Sequence, residues 1–192
     1  MTAASGILHK EYHAQEFSRK GGIFQMVQLW VNLPAKDKMS KPKYQAITKD
    51  KMGVHDLGNG SYAEVIAGEF AGVKGPASTF TPIEMYNLHL KKDVSVDFKL
   101  PADFNTGFLV VEGNVTINSD EKAPTNHFIL FKNDGEDVNV QADDDAVVLV
   151  LSGQTIDEPI TSYGPFVMNT QEEIREAFDD YNQGKFGYLE ED

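Results

Sequence analysis

A mainly β protein, folded as a sandwich, barrel or double-sheet jelly roll, is predicted by this 192-residue sequence. Three observations carry the prediction. From about Gly60 onward, short runs of alternating apolar and polar residues follow one another with no helical period between them. The breaks between runs hold turn chemistry: Gly75-Pro76, Pro101, Glu112-Gly113-Asn114, Ser119-Asp120 and Asn133-Asp134-Gly135. Only one amphipathic helix is signalled, near the carboxy terminus.

Taken in order, the first element is a strand over Ile7–His13 (ILHKEYH). Successive side chains of a strand alternate faces, so Ile7, His9, Glu11 and His13 share one side and Leu8, Lys10 and Tyr12 the other. Imidazole and carboxylate converging on one face suit a borderline divalent metal such as iron, nickel or zinc. The alternative is a half-exposed strand whose polar face meets water. A second strand follows over Phe24–Leu33, where Val27, Leu29, Val31 and Leu33 alternate with Met26, Gln28, Trp30 and Asn32. Pro34 ends it.

Residues 35–57 are polar and lysine-rich without a clear period and read as a connector. Strands are then expected near Tyr62–Ala67, Met85–Leu90, Val94–Leu100, Gly107–Glu112, Asn114–Ile117, His127–Phe131, Asp137–Gln141 and Ala146–Ser152. The helix runs over about 171–183. Thr170 at N-cap and Glu173 at N3 make a capping box. Ile174, Ala177, Phe178 and Tyr181 form one apolar stripe, and Gly184 is a C′ stop. Asp179 and Asp180 lie at the wrong end of the helix dipole, so docking rather than propensity should hold this helix.

Composition narrows the function. The chain is 41% hydrophobic and 24% charged, as a globular protein is. A net charge of −13 without a basic stripe argues against nucleic-acid binding. There is no cysteine, which removes thiolate catalysis, disulfides and sulfur-ligated zinc. No run approaches the ~18 apolar residues of a membrane span, and the first residues carry no signal-peptide pattern. A soluble cytoplasmic protein is expected. Neither a nucleophile elbow nor a Gly-rich phosphate loop occurs. His55, His89 and His127 each stand alone, and a lone strand histidine is most often a hydrogen-bonded structural residue. Only His9, Glu11 and His13 cluster.

GFLVVEGNVTI and HFILFKNDGEDVNV resemble the paired strands of a cupin barrel. The stretch where a metal-binding cupin carries H-x-H is here Ser95-Val96-Asp97-Phe98, so this barrel's own pocket is expected to hold no metal. Three longer segments, MTAASGILHKEYH, VQLWVNLPAKDKMSKPKYQ and EPITSYGPFVMNTQEEI, together resemble the pirin family. Pirins are bicupins, and their amino-terminal barrel is similar to a mononuclear iron site of three histidines and one glutamate. The family's H-x-E strand matches His9 and Glu11; His13 has no counterpart in it.

The resemblance implies a cupin (double-stranded β-helix) barrel over 58–155 and a remnant of a second cupin over 1–34. A connector over 35–57 and a helical tail over 156–192 complete the expected organisation. The upstream H-P-H-R-G-F-E-T-type segment that supplies a pirin's first two histidines has no match. The chain therefore reads as a fragment or as a product starting at an internal methionine.

Two functions follow from the resemblance. The first is a quercetin 2,3-dioxygenase-type enzyme, with His9 and Glu11 binding iron or another divalent metal and Glu11 also accepting the flavonol hydroxyl proton. The second is a metal-free binding module or regulatory cofactor acting by protein contact. Because two ligands fall short of a facial set, activity is expected to be impaired in this chain. Residues 1–34 carry much apolar surface for two strands, so self-association through them is expected as well.

Overall fold

Twelve strands occupy Gln45–Thr155 in the computed structural model, which describes residues 1–189. They are β1 (Gly53–Gly58), β2 (Ser61–Ala67), β3 (Glu69–Phe70), β4 (Val73–Lys74), β5 (Ile83–Leu90) and β6 (Ser95–Lys99). β7 (Phe104–Glu112), β8 (Asn114–Ile117), β9 (Glu121–Pro124), β10 (Phe128–Leu130), β11 (Asp137–Ala142) and β12 (Ala146–Gln154) follow. One sheet has the order β1-β2-β5-β12-β7-β10 and the other β6-β11-β8-β9, every neighbouring pair being antiparallel.

Period-two alternation builds the core between these sheets. Ala63 and Val65 of β2, Tyr86 and Leu88 of β5, Phe108 and Val110 of β7, and Val148 and Val150 of β12 are buried. They join Val96, Val115, Ile117, Val138 and Val140 of the second sheet in one cluster. Burying each such side chain contributes roughly 1.5–3 kcal/mol. The short hairpin β3–β4 adds Phe70, whose ring lies 5.3 Å from that of Tyr86 and 5.6 Å from that of Phe98. Rings continue through Phe108 to Phe131, 4.6 Å between centroids. The interior is thus filled by side chains.

Met1–Tyr44 and the chain from Ile156 form the other compact unit. It holds α1 (Gln15–Lys20), α2 (Ala35–Lys38), the hairpin of β13 (Thr161–Tyr163) and β14 (Phe166–Met168), and α3 (Gln171–Asn182). The capping box forms: Thr170 Oγ1 accepts from the Glu173 N–H, and Glu173 accepts from the Thr170 N–H at 2.8 Å. At the other end the Gly184 N–H bonds to the Tyr181 carbonyl and the Lys185 N–H to that of Asp180, a Schellman stop with Gly184 at φ +72°. The unfavourable Asp180 is matched by Lys185, whose ammonium donates to it. Docking holds the helix: Ile174 is buried, and the Phe178 ring packs against Tyr163 and Phe166.

Lys38 of α2 is buried here too. Its ammonium donates to Asn32 Oδ1 at 2.6 Å and to the Val167 carbonyl at 3.2 Å. Burial pushes its pKa below the ordinary lysine value, against the opposing pull of Glu158 and Glu173.

Three expectations need correction. Ile7–His13 and Phe24–Leu33 are not ladder strands, because a strand persists only beside another strand and the described residues offer them none. Between them α1 forms instead, supported by a Glu16–Lys20 pair at i,i+4. Residues 35–57 are not all connector: β1 occupies Gly53–Gly58, and the barrel unit begins at Gln45. Its inward residues Gly53, His55 and Leu57 carry a weak apolar signal, which is why the alternation does not stand out.

Candidate functional site

Gly6 sets the entry to the segment that carries His9 and Glu11. Its φ is +110°, and a Cβ at this position would lie 2.2 Å from the Phe186 ring. The Leu8 N–H donates to the Phe186 carbonyl at 3.2 Å. The chain is thereby pinned just ahead of His9. From there His9 Nδ1 lies 3.8 Å from Glu11 Oε1, with side chains 45% and 65% exposed. The two donors point to one place in water-accessible space.

His13 does not join them. Its ring packs at 4.6 Å on Phe24 and 5.6 Å on Phe17, so it belongs to a small aromatic cluster around α1. Among the described residues no three His, Asp or Glu side chains come together as a metal-holding group. An imidazole and a carboxylate are donors of the right kind, but two of them do not by themselves fit a mononuclear centre, which needs at least three protein ligands with defined geometry.

In the barrel, Val96 is buried and Phe98 packs against the core, whereas Ser95 and Asp97 turn outward. Both outward groups accept from the Asn139 amide, at 2.8 and 2.7 Å. The segment where a cupin metal pair would lie is therefore committed to packing and to a surface hydrogen-bond set.

A second polar cluster was invisible in the linear sequence. Glu64 of β2, whose side chain is only 7% exposed, lies 3.1 Å from His89 Nε2 of β5 and 3.4 Å from the Lys49 ammonium. Tyr62 stacks on the His89 ring at 4.5 Å. Burial pushes the Glu64 pKa up, but the His89 and Asn87 hydrogen bonds and the Lys49 charge outweigh it and hold it below the ordinary 4.5. A carboxyl depressed in the folded state binds protons more readily when unfolded. Its stabilisation is present above about pH 4.5 and lost as pH falls through the lower folded value. Glu64→Gln is therefore expected to cost about 1–2 kcal/mol at pH 7 and progressively less below pH 4.5. Urea titrations at pH 7 and pH 3.5 check this; an equal cost at both would contradict it.

Two antiparallel sheets closed face to face around one core, with the Gly113 turn leading out of β7, define a cupin-type barrel. Residues 85–187 match the family described as "Pirin C-terminal cupin domain". The chain is 40% identical over 189 residues to a Pseudomonas aeruginosa protein named "Putative quercetin 2,3-dioxygenase", covering 97% of this chain and 65% of that protein. It is 35% identical to a tomato (Solanum lycopersicum) pirin-like protein, covering 98% and 64%. A solved structure of quercetin 2,3-dioxygenase from Acinetobacter baumannii superposes with a TM-score of 0.94 at 42% identity, covering 98% of this chain and 66% of that one. The chain belongs to the pirin family. It spans somewhat less than two thirds of the length of these curated relatives. Among the described residues no helix is long and apolar enough to cross a membrane.

Proposed function

We propose that the chain serves a pirin of the quercetin 2,3-dioxygenase type, to which it supplies His9 and Glu11 as two ligands of a divalent metal, iron being the metal the family resemblance implies. The observation that carries this is the convergence of His9 Nδ1 and Glu11 Oε1 to 3.8 Å on an anchored, water-accessible segment. Similarity along 97% of the chain to a protein named for that activity supports it. A metal held there would supply a site for a flavonol and dioxygen, and Glu11 would be the carboxylate that takes the flavonol hydroxyl proton. Residues 1–34 are read as belonging to the amino-terminal cupin of such a protein.

Because two donors are too few, this chain alone is expected to bind iron or nickel weakly and to consume quercetin no faster than buffer. Joined to an upstream segment bearing H-x-H, it should bind the metal tightly and consume quercetin. His9→Ala in that longer protein should then weaken metal binding by at least about a hundredfold, more than loss of an outer-shell partner does. Metal analysis with a quercetin absorbance assay reads both. Unchanged metal content in the His9→Ala protein would overturn the assignment.

A second reading has one observation in its favour: the barrel interior is packed with apolar and aromatic side chains and presents no imidazole from Ser95–Phe98. The barrel would then act as a metal-free module that binds a protein. In that case His9→Ala leaves partner binding intact.

A further inference from the structure

Gly6 and Phe186 stand far apart in the sequence, yet they meet within one compact unit. Beyond α3 the chain makes a tight turn. The Gly184 N–H bonds to the Tyr181 carbonyl and the Gly187 N–H to that of Gly184, with φ +72° and +86° at the two glycines. This turn delivers the Phe186 ring to a seat made by Phe166, 5.9 Å between centroids, and Tyr181, 6.1 Å. Three atoms of that ring lie 2.2, 2.4 and 2.6 Å from where a Gly6 Cβ would stand. The Phe186 carbonyl meanwhile accepts from the Leu8 N–H, one residue before His9.

We propose that Phe186 is a positioning residue of the candidate site, the turn Gly184–Gly187 acting as a strap that aims His9 and Glu11 from the far end of the sequence. The inference rests on the reading of His9 and Glu11 as a working pair. Two arguments carry it. The pair draws little of its placement from packing, since its side chains are 45% and 65% exposed; the backbone leading into it must then set where they point. Phe186 fixes that backbone at two places. Its ring closes over Gly6, whose φ of +110° is a conformation that glycine alone adopts readily. Its carbonyl holds the peptide plane that joins Ile7 to Leu8. With that plane held, only the rotations at Leu8 and His9 separate the strap from the imidazole.

The ties further upstream cannot take over this task. Thr2 exchanges two backbone bonds with Lys43, and the Ser5 N–H donates to the Ser40 carbonyl. Both lie on the other side of Gly6, which is free to turn once the ring above it is gone. The helix, by contrast, does not depend on Phe186 for its seat: Ile174 is buried, and Phe178 packs on Tyr163 and Phe166. Loss of the ring should therefore loosen the segment around His9 and leave α3 and the barrel in place.

Nuclear magnetic resonance of this chain tests the proposal without any metal. In the otherwise unchanged chain, Glu11→Gln should shift the His9 ring signals, because the carboxylate faces the imidazole. In Phe186→Ala that response should shrink at least about twofold and the Leu8 amide should exchange roughly tenfold faster. The Ile174 and Phe178 amides and the melting of the barrel should stay as they were. Gly6→Ala should reproduce both effects, since a Cβ there strains the backbone and displaces the ring. An unchanged Leu8 amide and His9 response in Phe186→Ala would overturn the proposal, as would a Gly6→Ala chain with native signals. A release that spreads through α3 would overturn it too, by making Phe186 a packing residue of the whole unit. Failure of the metal assignment is read separately, as unchanged metal content of His9→Ala in the longer protein, and leaves these signals unmoved.

Discussion

Replacing Phe108 by alanine is expected to lower the melting temperature of the barrel by on the order of 15 °C. Phe108 is 0% exposed and sits at the centre of β7, inside the core cluster. Its ring stacks near that of Phe98 at 6.1 Å and against Phe131 at 4.6 Å. Truncation removes the transfer free energy of the ring and leaves a cavity that the flanking strands cannot close, together about 3–5 kcal/mol. That is a large part of the roughly 5–15 kcal/mol by which a domain is stable. Phe108→Leu keeps most of the volume and should cost less than half as much. Far-ultraviolet melting of the three proteins reads the effect. The sole tryptophan, Trp30, lies outside Gln45–Thr155, so its emission should not report this transition. A shift of only a few degrees for Phe108→Ala would mean that the ring is not the keystone its burial implies.

The parts of this fold that are legible in the sequence are those whose causes are local. Thr170 and Glu173 are three residues apart, and both bonds of the capping box form between them. Asn114–Ile117 is read correctly because Gly113 and Ser119 bracket it with turn chemistry. Val148, Val150 and their neighbours in β12 form a continuous apolar run of the kind a central strand shows. Elements whose causes are distant were missed or mistaken. β9, Glu-Lys-Ala-Pro, has no apolar alternation of its own and exists because β8 lies beside it. Ile7–His13 has the alternation but no neighbouring strand, so the same pattern yields no ladder.

The candidate site divides along the same line. His9 and Glu11 are two residues apart, and side-chain periodicity alone brings them to one side. His13 has the same periodicity, yet Phe17 and Phe24 claim its ring once α1 folds. Glu64 and His89 are separated by 25 residues and meet through the β2–β5 register, which pairs Tyr62 with His89 and Glu64 with Asn87. No spacing rule announces such a pair. Residue type and separation therefore nominate ligands, but the competing contacts of each ring decide which nominees remain available.

Gly113→Val is expected to destabilise the barrel by about 2–5 kcal/mol, whereas Gly135→Val, in another turn, should be nearly neutral. Gly113 turns the chain from β7 into β8 at φ +76°. A β-branched residue there suffers the left-handed penalty of roughly 1–2 kcal/mol or more. The space is also occupied: a Cβ would stand 2.3 Å from the Asp145 carbonyl oxygen and 2.9 Å from Ala146 Cα. Both are backbone atoms and cannot swing aside. Relieving the clash must displace the Asp143–Asp145 loop, which the Asn114 carbonyl holds through the Asp143 N–H and the Asn114 amide holds through Asp144. It must also displace the start of β12, the strand between β5 and β7 in the larger sheet. Crowding of this kind adds about 1–3 kcal/mol. At Gly135 a Cβ meets nothing within 4 Å, so only surface-level changes within about ±0.5 kcal/mol are expected. Urea midpoints of the two variants provide the comparison. Equal midpoints would show that the β7–β8 turn can reshape around a side chain, and that the close approach to Asp145 is not what fixes glycine there.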